Sequence, residues 1–239
     1  MTTYVIIHGA WHTGDLLAGT AAFIRKAGHE VLLPTLAGNV SNGTKNVGLS
    51  AAIRSAIDFI NDAGVEDFVL AGHSYGGMII TGVADQLAER IRRLVYWNAF
   101  VPNDGECLND MVPPHYVELF ESLMHDDGTV SLPYQIWREA FINDASAELA
   151  QSAYAQLNPH PIKTFTDRIS LNTDPAAMQV PKSYLNCTED TGLPQSLGWH
   201  PHLSEKLGLF RLVQCPGSHE LCFTNPQLLA EKLIEAGRD

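Results

Sequence analysis

Val69-Leu70-Ala71-Gly72-His73-Ser74-Tyr75-Gly76-Gly77 holds the turn on which the reading of the fold rests. Phe68–Ala71 is a run of apolar strand formers. From Gly77 to Arg90, Ile80, Val83, Ala84 and Leu87 recur at helical spacing. The five residues between, Gly72-His73-Ser74-Tyr75-Gly76, form a GxSxG pattern. A serine on so tight a strand-to-helix turn sits in strained backbone geometry. Bulk two residues to either side would strike the neighbouring strand and helix. The turn lifts the Ser74 hydroxyl clear of the sheet and aims the Tyr75 amide at the same space. A strand before it and an amphipathic helix after it separate a nucleophile elbow from a mere glycine-rich turn.

Outward from this turn, short apolar strands alternate with longer helical patterns, which predicts a parallel sheet covered on both faces. Strands are expected at Tyr4–Ile7, Glu30–Leu33, Phe68–Ala71, Leu94–Ala99, Lys182–Cys187 and Leu209–Cys215. A helix over Asp15–Ala27 stops at Gly28. Another, capped by Ser50 and carrying Ile53, Ile57 and Ile60, ends at Gly64. A last one opens at Asn225-Pro226. The class is α/β, a mostly parallel, six-stranded, doubly wound sheet. Residues 102–177 break the rhythm, with helical patterns around Val117–Leu123, Tyr134–Phe141 and Ser146–Leu157 and no convincing strand. That is too long for an ordinary connection, so the expectation is a helical lid inserted after the fourth strand. The core is then 1–101 with 178–239.

A serine hydroxyl needs a base, and the base needs an orienting acid. His219 follows the last strand in Cys215-Pro216-Gly217-Ser218-His219, and loops at the carboxyl ends of parallel strands converge on one crevice. The preceding strand ends in Thr188-Glu189-Asp190, so Asp190 is the expected acid, with Glu189 beside it as the alternative. The first strand ends in His8-Gly9-Ala10-Trp11-His12, which offers the Ala10 amide as an oxyanion donor beside that of Tyr75. His8 reads as a brace for this turn. Trp11 is a candidate pocket residue. In the lid, Tyr116, Phe120, Trp137 and Phe141 are candidates for an apolar wall, of which Trp137 is chosen. His200-Pro201-His202 lacks a third ligand in register, so no metal site is expected.

The 239 residues carry 15 basic and 27 acidic side chains, a formal net charge of −12. That balance repels a phosphate backbone and argues against nucleic-acid binding. Arg90, Arg92 and Arg93 read as a solvated helix end. There is no membrane-length apolar stretch and no leader-like start, and the four cysteines share no CxxC spacing. A cytoplasmic protein with reduced thiols, not held at a membrane, is the expectation. The oligomeric state is left open, a homodimer included.

Val5-Ile6-Ile7-His8-Gly9-Ala10-Trp11-His12, Gly72-His73-Ser74-Tyr75-Gly76-Gly77, Asn98-Ala99-Phe100-Val101-Pro102, Cys187-Thr188-Glu189-Asp190 and Gly217-Ser218-His219 together resemble one family. It is the α/β-hydrolase group of plant methyl-salicylate-type esterases, hydroxynitrile lyases and bacterial relatives. The resemblance implies an α/β-hydrolase fold, a Ser74–His219–Asp190 triad, an oxyanion hole from the Ala10 and Tyr75 amides, a helical lid and no metal or organic cofactor. It also implies small esters of aromatic or hydrophobic acids as substrates. The loop Thr35-Leu36-Ala37-Gly38-Asn39 lacks the arginine often found there in the family, and the lid matches the plant enzymes poorly. Hydrolysis of small carboxylic esters is the expected activity. A cyanohydrin lyase, a cofactor-free dioxygenase and a receptor-like binder are the alternatives. The lyase branch places a lysine after the catalytic histidine, where this chain has Glu220.

Overall fold

The computed structural model describes residues 1–239. Its strands are β1 (Thr3–Ile7), β2 (Glu30–Leu32), β3 (Phe68–His73), β4 (Ile91–Trp97), β5 (Thr129–Val130), β6 (His160–Pro161), β7 (Lys182–Cys187) and β8 (Arg211–Cys215). Six of them make one sheet in the order β2-β1-β3-β4-β7-β8, and every neighbouring pair in it is parallel. Side chains alternate across a strand. Tyr4, Ile6, Val69 and Ala71 therefore join one apolar cluster of 20 residues, while Val5, Ile7, Phe68 and Leu70 join another of 47. Both faces are dry, which is why β3 and β7 are buried at every position.

Helices α1 (Ala18–Lys26) and α9 (Pro226–Ala236) cover the smaller cluster, and α2 (Leu49–Ala63) and α3 (Gly76–Leu87) cover the larger one. The Asn225 side chain caps α9 by accepting from the Leu228 amide at 3.1 Å, with Pro226 in the first turn. Gly64, with φ 61°, closes α2 in the left-handed region. Its start departs from the expected Ser50 cap. Gly48 occupies that position, and the Leu49 amide donates instead to Asp167 Oδ2 at 3.0 Å. A carboxylate brought in from distant sequence is the better acceptor there. Of the basic cluster, Arg90 does end a helical turn, Ala88–Arg90, and is partly exposed, but Arg92 and Arg93 lie within β4, where Arg92 pairs with Asp67 and Arg93 is buried.

Residues 102–177 carry α4 (Pro114–Ser122), α5 (Tyr134–Ile136) continued by a π turn over Trp137–Phe141, α6 (Ala147–Tyr154) and α7 (Lys163–Thr166). The expectation of no strand here needs correction. The two-residue β5 and β6 pair antiparallel, a contact too short to leave a period-two pattern in sequence. Phe120, Val130, Trp137, Phe141 and Phe165 from this segment belong to the larger cluster. The short α8 (Leu221–Thr224) follows β8. No helix is long and apolar enough to cross a membrane.

Candidate active site

The chain winds outward from β1 to β2, then returns to place β3 on the other side of β1. Such a reversal opens a crevice at the carboxyl ends of the strands. Ser74 leaves β3 into that crevice with φ 55°, in the left-handed region that L residues rarely occupy. The glycines around it are required sterically. A Cβ on Gly72 would lie 2.7 Å from the Gly76 carbonyl oxygen, and one on Gly76 would lie 2.9 Å from that of Ile7. Two amides, Gly77 at 3.0 Å and Phe100 at 3.1 Å, donate to the Ser74 carbonyl and hold the turn. Tyr75 stands at the N-cap of α3, where helix amides have no acceptor within the helix.

His219 is buried in the loop after β8, and its Nδ1 lies 2.5 Å from Asp190 Oδ2. The same oxygen accepts from Asn98 Nδ2 at 2.5 Å, and Oδ1 accepts from the Gly192 amide at 2.8 Å. Glu189 is exposed, with its side chain in no such arrangement. Asn98 opens one of the stretches that resemble the family, but its role is visible only in the structure. Its Oδ1 also accepts from the Cys187 amide at 2.6 Å, so it ties the end of β4 to the end of β7. Burial disfavours charge on His219. The Asp190 carboxylate, its hydrogen bond and the nearby Glu220 carboxylate together outweigh that penalty and hold the imidazole above its usual value. The other ring nitrogen, Nε2, is buried and has no protein partner.

On the opposite side, His8 braces the turn after β1. The Leu36 amide donates to its Nε2 at 3.1 Å, so the proton sits on Nδ1 and is donated to the Gly9 carbonyl at 2.8 Å. Burial pushes His8 down to about 4, which keeps it neutral. The Gly9 carbonyl belongs to the same peptide as the Ala10 amide. Fixing one end of that plane fixes the other, and the hydrogen bond polarises the amide.

Ala10, Trp11, Ser74 and Tyr75 all line one cavity of about 370 Å³, part of it open to solvent. Its walls are apolar, with Phe120, Phe141 and Phe165 from the inserted segment and Trp199 from the loop before β8. Trp199 stacks on the His219 ring at 5.0 Å, and Phe141 meets it edge-on at 5.2 Å. Of the four lid aromatics considered from sequence, Tyr116, Phe120 and Phe141 line the cavity, and Trp137 does not. Trp137 is fully buried away from it, where its Nε1 donates to the Ala150 carbonyl at 3.1 Å and its ring packs near His12 and Phe223. Helical spacing marks a side chain as buried without saying into which volume. Glu220 also turns away from the cavity, toward His12.

The sequence model of the alpha/beta hydrolase family matches residues 4–232. The chain belongs to that family. It is an enzyme of the hydrolase class, on the esterase side. This hydrolase is 33% identical over 247 residues to the carbendazim hydrolyzing esterase of Nocardioides sp., covering 99% of this chain and 100% of that one. It is 25% identical to salicylic acid-binding protein 2 of Nicotiana tabacum, over 97% of this chain and 95% of the relative. Among solved structures it resembles an extracellular alpha/beta-hydrolase from a Paenibacillus species, with 38% identity, a TM-score of 0.96 and complete coverage of both chains. That protein is described as sharing structural and functional homology with the tobacco protein.

Proposed function

We propose that this hydrolase cleaves small, uncharged carboxylic esters with an apolar acyl group, through a Ser74–His219–Asp190 triad and an acyl-enzyme. One observation carries the reading. A buried histidine is oriented by a carboxylate through Nδ1, has a free Nε2, and packs on Trp199 and Phe141, two walls of the cavity that a serine on a strained elbow also lines. No carboxylate, lysine or arginine lines that cavity, so a charged substrate would lose its hydration without compensation. The names of the relatives, an esterase and a salicylate-binding protein among them, point to the same chemistry.

In the proposed reaction the Ser74 Oγ attacks the ester carbonyl carbon while its proton passes to His219 Nε2. Asp190 stabilises the imidazolium. The Ala10 and Tyr75 amides receive the oxyanion, each donor of this kind being worth about 10²–10³ in rate. Collapse of the tetrahedral intermediate expels the alkoxide, which takes the proton from Nε2. Water, activated by the same nitrogen, then releases the acid and frees Ser74.

Ser74→Ala in a p-nitrophenyl acetate assay is expected to lose at least about 10³-fold in kcat while remaining folded. It should also fail to react with a fluorophosphonate probe. Retention of more than a few per cent of the rate would sink the nucleophile. The same preparation of wild-type protein should release no cyanide from mandelonitrile above the buffer rate. Glu220 stands where the lyases carry lysine, and no lysine or arginine lines the cavity to receive the departing anion.

A further inference from the structure

The reaction outlined above makes no use of a second buried imidazole–carboxylate pair that joins the two sides of the site. His12 Nε2 lies 3.0 Å from Glu220 Oε2, and each side chain is 2% exposed. The other ring nitrogen, Nδ1, lies 2.6 Å from the Ala10 carbonyl oxygen. A carbonyl and a carboxylate are both acceptors, so both ring nitrogens are placed to donate, which is the arrangement that favours an imidazolium. Burial opposes that charge. The Glu220 carboxylate, its hydrogen bond and the Ala10 carbonyl outweigh it. The rings of His73 and Phe223, each at 5.9 Å, and of Trp137, at 6.1 Å, enclose the imidazolium, and the Cys222 thiol donates to the same Glu220 oxygen at 3.6 Å.

We propose that His12 and Glu220 are a positioning pair, which holds the Ala10 peptide in register with His219. This rests on the reaction proposed above. Ala10 is gripped on both sides: His8 holds the carbonyl of the peptide before it, and His12 holds the carbonyl of the peptide after it. Trp11, next in the chain, has φ 63°, a conformation that this grip helps to maintain. The other end of the pair is the residue that follows His219, and its own amide is fixed to the Phe141 carbonyl at 3.2 Å. The distance between the oxyanion donor and the base is thus set through two side chains from positions 208 residues apart. Misplacing a catalytic group by about 1 Å is enough to cost about 10²-fold.

The test compares wild type with His12→Phe, Glu220→Leu, Glu220→Gln and the double variant His12→Phe/Glu220→Leu. Replacing both charges with apolar groups avoids an unpaired buried ion, so the double variant is the one expected to fold best. Its melting temperature should stay near that of wild type. Its kcat on an activated aryl ester should fall about 10- to 100-fold with KM within about threefold. Affinity for a trifluoromethyl ketone, which binds as an oxyanion, should fall by the same factor as kcat. Affinity for the corresponding unreactive methyl ketone should not. Glu220→Gln keeps a hydrogen-bonding partner for Nε2 and should recover most of what Glu220→Leu loses. A folded double variant with wild-type kcat would overturn the proposal, and so would equal loss of both ketone affinities. Should the double variant fail to fold, Glu220→Gln against Glu220→Leu decides on the same two ketones: equal ratios of affinity overturn it. Ser74→Ala in the same assay separates this outcome from a failure of the triad, because an active Ser74→Ala removes the reaction itself.

Discussion

Asp190 and Glu189 are neighbours in sequence and opposites in surroundings. Asp190 accepts from His219, Asn98 and the Gly192 amide, whereas Glu189 faces water. Only the former can fix the tautomer that leaves Nε2 ready to accept the serine proton. Asp190→Asn should therefore reduce kcat by about 10⁴-fold, and Glu189→Gln by less than about twofold, in steady-state ester hydrolysis. The reverse order would move the acid to Glu189. The His219 ring also sets a pH dependence. Its pKa lies above the ordinary 6.5, so it is still protonated there and unable to act as a base. The rising limb of kcat/KM should have its midpoint above 6.5, and a midpoint below that value in a pH–rate profile would contradict the assignment.

The inserted segment presents two kinds of aromatic residue to the core. Phe120 on α4 meets the cavity, while Trp137, at the start of the π turn after α5, packs away from it against His12 and Phe223. Substitutions should separate them. Phe120→Ala removes part of a substrate wall and should raise KM for aryl esters about tenfold or more. Trp137→Phe loses the hydrogen bond to Ala150 and some packing. It should lower stability by about 1–3 kcal/mol with KM unchanged within about twofold. Thermal melts beside Michaelis kinetics give both readouts, and a KM effect larger for Trp137→Phe than for Phe120→Ala would put Trp137 back in the cavity wall.

Over the whole molecule, buried histidines shape the response to acid. Burial holds His8 at about 4 and His73 and His160 well below the usual 6.5. Their folded-state pKa values are depressed, so below 6.5 the unfolded chain binds protons that the folded chain refuses. Their contribution is whole above that pH and is lost as the pH falls toward about 4. For His8 alone the drop from 6.5 to about 4 corresponds to about 3 kcal/mol. His12 and His219, raised instead, contribute fully below 6.5 and lose their contribution as the pH climbs through their folded values. Melting temperature should consequently drop by about 6–12 °C or more between pH 6.5 and pH 4, read by calorimetry. A flat profile over that range would show that these rings are not buried as neutral groups.

What could be read from the chain was what short-range chemistry decides. The glycines at 72 and 76 are needed by the Ser74 turn itself, and β7 spans Lys182–Cys187 as the alternation of strands and helices predicts. The order of Ser74, Asp190 and His219 follows from where strands end, since parallel strands deliver their following loops to one edge. What only the tertiary structure decided were pairings between remote segments. Asp167 supplies the start of α2, Asn98 steadies Asp190, β5 finds β6, and Glu220 turns to His12 instead of the cavity. Periodicity and turn propensity act over a few residues and specify which face is buried. The partner that a buried polar group meets depends on which distant segment packs against it, because burying a polar atom costs least where that segment brings it a hydrogen-bond partner.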